Sequence, residues 1–215
     1  MLPLQSCTTA RLGATYLQHD PLAVLGLLVP TTYARNLQAV QRISTNQSIA
    51  KAGASLPSLN VHLGDLGSGY SRQGGSPNCQ HYLSPKQVGV SVQLPAPSIK
   101  QHGWNLAYGA CYQRANSAFI VSTIDRFNGS QGAQWFYKAS IYVMLGGVGI
   151  NHKAPLTPKL GDRAQAFVGA GEGPGDYFIV FQHGRYVVSI LRTPRNEAQT
   201  NVLAQLIDFR INQRG

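Results

Sequence analysis

Two β-rich runs, Trp104–Tyr112 and Ser117–Asp125, stand on either side of the four residues Gln113-Arg114-Ala115-Asn116. Aromatic and β-branched side chains at this density, split by a short polar break, specify an antiparallel hairpin, and the rest of the fold must be built around it. Three further runs follow at Arg163–Gly169, Tyr177–Gln182 and Tyr186–Leu191, the last two joined by His183-Gly184-Arg185. Consecutive strands with tight turns predict an antiparallel meander. An alternation of Leu59, Val61 and Leu63 adds a half-buried strand within Ser58–Tyr70, although Gly64, Gly67 and Gly69 interrupt it.

Helical signals fall between these strand groups. Ser84-Pro85 starts a short helix that Leu94-Pro95-Ala96-Pro97 stops at about Gln93. Ser130 caps a helix with Trp135, Ala139, Tyr142 and Val143 on one face, ended by Gly146-Gly147. Asn196 caps a last one in which Ala198, Val202, Gln205/Leu206 and Phe209 share a face. Near the start, Tyr33, Leu37, Val40 and Ile43 recur at helical spacing after a capping Thr31, which predicts a helix over Thr32–Asn46. A Gly/Ser/Pro-spaced stretch through Pro57 then divides the chain into an N-terminal arm with a helical extension, 1–57, and a single domain, 58–215. Strands in groups with helices between them indicate the α+β class: a curved antiparallel sheet of about five to six strands with helices packed on one face.

With 43% hydrophobic residues, the 215-residue chain supplies a real core, which excludes disorder, collagen and coiled coil for the whole. The longest apolar stretch, Leu22–Val29, is far short of the roughly 20 residues a helix needs to span a bilayer. Charged residues are scarce (12%) and the balance is basic, with 18 Lys+Arg against 8 Asp+Glu for a net charge of +10. The opening residues lack the charge and apolar run of a secretory signal, but Leu4-Gln5-Ser6-Cys7 resembles a lipobox and marks Cys7 as a candidate for lipidation. Cys79 and Cys111 are then either a disulfide or two unlinked thiols. Low charge and abundant uncharged polar residues lean towards an extracytoplasmic or lipid-anchored location, with the cytoplasm as the alternative.

Chemistry-bearing residues do not assemble into a signature. The six histidines include no His-x-x-x-His pair, and the cysteines no Cys-x-x-Cys, so neither a metal nor a cofactor is expected. His62 with Asp65 reads as loop surface, and Glu172 with Asp176 as residues of a strand-connecting turn. A hydrolase would have to use a non-motif site in the Arg72–Tyr82 loop, with Cys79 as nucleophile and His81 beside it. The basic charge raises a third class, binding of a polyanion such as nucleic acid, anionic lipid or cell-wall polymer. No specific nucleic-acid motif supports it; Arg192, Arg195, Arg210 and Arg214 form the densest cluster. Binding candidates are the aromatics Tyr82, Trp104 and Tyr108, with Arg72.

The order of elements, together with Pro158-Lys159-Leu160-Gly161-Asp162-Arg163-Ala164-Gln165-Ala166-Phe167 and the run Tyr177–Ile190, resembles small extracytoplasmic α+β domains of bacterial lipoproteins and of the sensor domains of membrane-bound kinases. The likeness covers about Leu63 to Asn212, and the basic charge and the segment before Pro57 depart from it. It brings no catalytic residues. It implies a non-enzymatic ligand-binding or sensor-like domain that takes an unidentified ligand on the open face of the sheet or between sheet and helix.

Overall fold

The structure, a computed structural model, describes residues 54–73, 79–115, 118–146, 150–169 and 175–215. The expected helix over 32–46, Cys7 and Glu172 lie outside the described residues. Five helices and eight strands are described: α1 (Leu56–Leu59), β1 (Tyr70–Arg72), β2 (His81–Leu83), α2 (Pro85–Ser91), α3 (Ala96–Gln101), β3 (Trp104–Arg114), β4 (Ala118–Phe127), α4 (Ser130–Gly146), β5 (Ile150–Ala154), β6 (Arg163–Gly169), β7 (Tyr177–His183), β8 (Tyr186–Thr193) and α5 (Glu197–Arg214), with a 3₁₀ turn at Leu63–Asp65. The class is α+β. One antiparallel sheet runs β1-β3-β4-β8-β7-β6-β5, with β2 also paired to β3.

The central hairpin and the meander form where their residue patterns place them. Cys111 faces Val121 in the β3–β4 ladder, and β8 carries the meander across to β4 by pairing Val121 with Leu191. Helix α2 opens on a capping box, in which Gln87 N–H donates to Ser84 Oγ (3.3 Å) and Gln87 Oε1 accepts from Ser84 N–H (2.8 Å). Asn196 caps α5 by accepting from Gln199 N–H at 3.0 Å.

Helices cover both faces of the sheet, which corrects the expectation of one. On one face α1 and α5 supply Leu56, Leu59, Leu203, Ile207 and Ile211, packed with Tyr112, Ile120, Ile124, Ile179 and Val188. On the other, α2, α3 and α4 supply Val88, Ile99, Ala133 and Phe136, packed with Ala107, Val121, Val180 and Val187. The signal was in β7: Tyr177-Phe178-Ile179-Val180-Phe181 is apolar without alternation, as a strand buried on both sides must be. The sheet therefore has no open face for a groove at its centre.

Three further expectations are corrected. The Leu59–Val61–Leu63 alternation is not a strand: Leu59 ends α1, Leu63 opens the 3₁₀ turn, and Val61 lies in the link between them. Between them the buried Asn60 side chain takes over the role of a ladder: its Nδ2 donates to Tyr108 O (3.3 Å) and Ser122 O (3.2 Å), and its Oδ1 accepts from Val61 N–H (2.7 Å) and Ser122 Oγ (2.5 Å). Strands β1, β2 and β5 bring the sheet to eight, above the expected five to six; β1 and β2 are only three residues long and carry too few residues to show a period. Both long helices are also turned relative to the expected faces. Helix α4 buries Ala133, Phe136, Ser140 and Val143 and leaves Tyr142 in solvent, and α5 buries Thr200, Leu203, Ala204, Ile207 and Ile211 while Val202 and Phe209 stand outside. Leu56 and Leu59 are buried in the core, and Ala54 N–H donates to Arg214 O (3.3 Å).

Candidate functional site

The edge of the sheet beyond β3 is shared by the two short strands β1 and β2, and it gathers three of the four expected binding residues. Tyr82 lies directly opposite Tyr108 in the β2–β3 ladder, and the rings meet edge to face with centroids 5.4 Å apart. Arg72 lies opposite Tyr112 in the β1–β3 ladder. Its positive charge opposes the rise that burial imposes on the hydroxyl pKa values of Tyr108 and Tyr112. Gln80 completes the group: its Oε1 accepts from Tyr108 Oη (3.3 Å) and its Nε2 donates to Cys111 O (3.1 Å). Gln80 has φ +64°, a left-handed backbone conformation, and directly follows the bridged Cys79.

Cys79 and Cys111 are joined in a disulfide, with Cα atoms 4.9 Å apart and a sequence separation of 32. The bridge fastens the start of β2 to the middle of β3 and so fixes the edge on which Tyr82 sits. It also leaves Cys79 without a thiol, which removes the version of the hydrolase reading built on Cys79 and His81. His81 lies exposed in β2 opposite Gly109.

Trp104 does not join this group. A bulge between Trp104 and Leu106 shifts the β3–β4 register. Without it, Trp104 and Tyr108, four residues apart, would share a face. With it, Trp104 packs among the α2–α4 side chains, whereas Leu106 and Tyr108 pack on the α1–α5 side. There Trp104 Nε1–H donates to Asp125 Oδ1 at 2.9 Å. Asp125 is buried, and burial pushes its carboxyl up to about 7 against the smaller opposing effect of the indole bond. The His102 and Trp135 rings stack in parallel, centroids 3.6 Å apart, tying the end of α3 to α4. In the sequence Asp125 is a lone carboxylate at the end of an apolar run.

The arginines expected to cluster near the C-terminus are mostly engaged in holding the fold. Arg192 is buried and donates to Tyr70 Oη (2.8 Å), and Arg195 pairs with Glu197. Arg210 grips Asp65 through both oxygens (2.8 and 2.9 Å) and also donates to Asn60 O (2.7 Å). Burial raises the Asp65 carboxyl, but the Arg210 bonds and charge, with the His62 N–H, outweigh it and hold it below the usual carboxylate range. Asp65 and His62 are thus parts of a fastening, with His62 N–H donating to Asp65 Oδ2 (2.7 Å). Asp176 accepts from Thr193 Oγ1 at the base of its turn, and burial raises its carboxyl. A shallow cavity of about 390 Å³, lined by Lys86, Val90, Gln93, Leu94 and Pro95 among others, lies on the α2–α3 corner away from these residues. Among the described residues no group of three His, Cys, Asp or Glu side chains is placed to hold a metal, and no helix is long and apolar enough to cross a membrane.

Neither a family model nor a curated protein matches the chain. Among solved structures, it is similar to the extracellular domain of PknH from Mycobacterium tuberculosis, with a TM-score of 0.53 at 10% identity over 76% of this chain and 100% of that domain. The likeness is one of fold, and it is the fold that the Tyr177–Ile190 run and the order of elements resemble.

Proposed function

We propose that the chain is an extracytoplasmic ligand-binding domain of sensor type that performs no chemistry of its own, and that its ligand docks on the edge formed by Arg72, Gln80, Tyr82 and Tyr108. The observation that carries the reading is the fold shared with the extracellular domain of PknH. The Cys79–Cys111 bridge supports the compartment, because disulfides persist where the surroundings are oxidising. The edge supports the place of binding. Tyr82 is 38% exposed and offers an aromatic face, Arg72 an exposed guanidinium, and Gln80 an amide held in position by two bonds. Such a set suits a ligand with an anionic group next to a flat or sugar-like surface, as an anionic cell-wall polymer or a membrane headgroup presents.

Two measurements test the reading separately. A free-thiol count on protein from its native host is expected to find Cys79 and Cys111 bridged, and free thiols at both positions overturn the extracytoplasmic assignment. Retention on immobilised heparin, used as a generic anionic polymer, is expected to weaken with salt and to fall about tenfold in Arg72→Ala/Tyr82→Ala, a loss of about 1.4 kcal/mol. Retention unchanged by the double substitution takes the site off this edge.

A further inference from the structure

The outer side of α5 is apolar where a helix covered on one side only is expected to be polar. Facing the sheet, α5 buries Leu203, Ala204, Ile207 and Ile211; on the other side Val202 and Phe209 are each 60% exposed, with Leu206 half-buried between them. These three positions follow i, i+4, i+7 and make one continuous stripe along the helix. A second apolar stripe on a surface helix marks a contact yet to be filled.

The chain itself supplies an occupant. The described body starts at Ala54, whose N–H is bonded to Arg214 O at the C-terminal end of α5, so residues 1–53 join the body beside this helix. Within them Tyr33, Leu37, Val40 and Ile43 recur at helical spacing. On a helix they form a stripe about 15 Å long, against about 10 Å for Val202 to Phe209. Residues 47–53 reach about 23 Å when extended, enough to pass around a helix about 10–12 Å across.

We propose that residues 32–46 of this chain form an amphipathic helix laid on the outer side of α5, with Tyr33, Leu37, Val40 and Ile43 against Val202, Leu206 and Phe209. In that position Arg35, Gln38 and Arg42 stay in water. Helix α5 then lies between the sheet and a further layer, and both of its apolar stripes are covered.

Limited trypsin digestion of the full chain tests this, because Arg35 and Arg42 lie inside the docked segment and Lys51 lies in the connection. The comparison is with Val202→Glu/Phe209→Glu, both at exposed positions, with circular dichroism to verify that the body remains folded. Cleavage after Arg35 and Arg42 is expected to be about tenfold slower in the wild type than in the variant, since docking limits the open population, while cleavage after Lys51 is equal in both. Equal rates after Arg35 and Arg42 overturn the proposal. So does a wild-type dimer that the double substitution converts to monomer with those rates unchanged, because a second copy would then cover the stripe. Slower hydrogen exchange over residues 32–46 in the wild type than in the variant is the expected second readout.

Discussion

Asp125 is a carboxyl in the core bonded to the Trp104 indole, and its position has a cost that depends on pH. Its pKa rises from an unfolded value near 3.8 to about 7 in the folded protein. The folded state therefore holds a proton that the unfolded state releases. The stability linked to this group is fully present below about pH 4, declines as pH rises through about 7, and is absent above that. Asp125→Asn keeps an acceptor for Trp104 and removes the titration. Its melting temperature is expected to match the wild type at pH 4 and to exceed it at pH 8 by about 4 °C or more, given roughly 2–4 °C per kcal/mol for a chain of this size. Parallel wild-type and variant melting curves across that pH range would contradict this account. Asp125 was visible in the sequence as a residue type but not as a buried group, because its burial depends on tertiary packing, including the Trp104 indole brought to it across the β3–β4 hairpin.

At the scale of elements, short segments hold their places through side-chain bonds rather than through length. Helix α1 and the following 3₁₀ turn, four and three residues long, are too short to be stable by themselves. They are fixed by Asn60 on the sheet and by the Asp65–Arg210 pair on α5. The pair is largely buried, so removing one partner is expected to cost more than removing both. Asp65→Ala and Arg210→Ala should each lose about 2 kcal/mol in urea unfolding, with the double variant losing clearly less than their sum. A strictly additive double variant would make the pair a mere surface contact. The Asp65 carboxyl titrates below its unfolded value, so its contribution is present above about pH 4 and is lost as pH falls further. The alternation at Leu59, Val61 and Leu63 suggested a strand because a turn held by Asn60 sends Leu59 and Val61 into the core at the same interval that a pleat would.

For the whole molecule, the Cys79–Cys111 bridge closes a loop that takes in β2, α2, α3 and the first part of β3. Cross-linking a loop of this length restricts the unfolded chain, and Cys79→Ala/Cys111→Ala is expected to cost about 2–5 kcal/mol in urea unfolding. A reductant should lower the wild-type midpoint towards that of the variant and leave the variant unmoved; equal wild-type midpoints with and without reductant would remove the bridge as a stabilising link. Heparin retention of the same variant is expected to fall as well, because the edge carrying Tyr82 loses its anchor. Local pattern specifies the β3–β4 hairpin, the β6–β8 meander, the Ser84 and Asn196 caps, and the α+β class, since turn chemistry and side-chain periods act over a few residues. Tertiary structure alone decided the rest. Which stripe of α5 is buried, which face the bulge gives Trp104, and the meeting of Arg72, Tyr82 and Tyr108 at one edge all depend on contacts between residues distant in the chain. A helix with apolar residues on two sides can bury either, and only the shape of the surface it meets selects one.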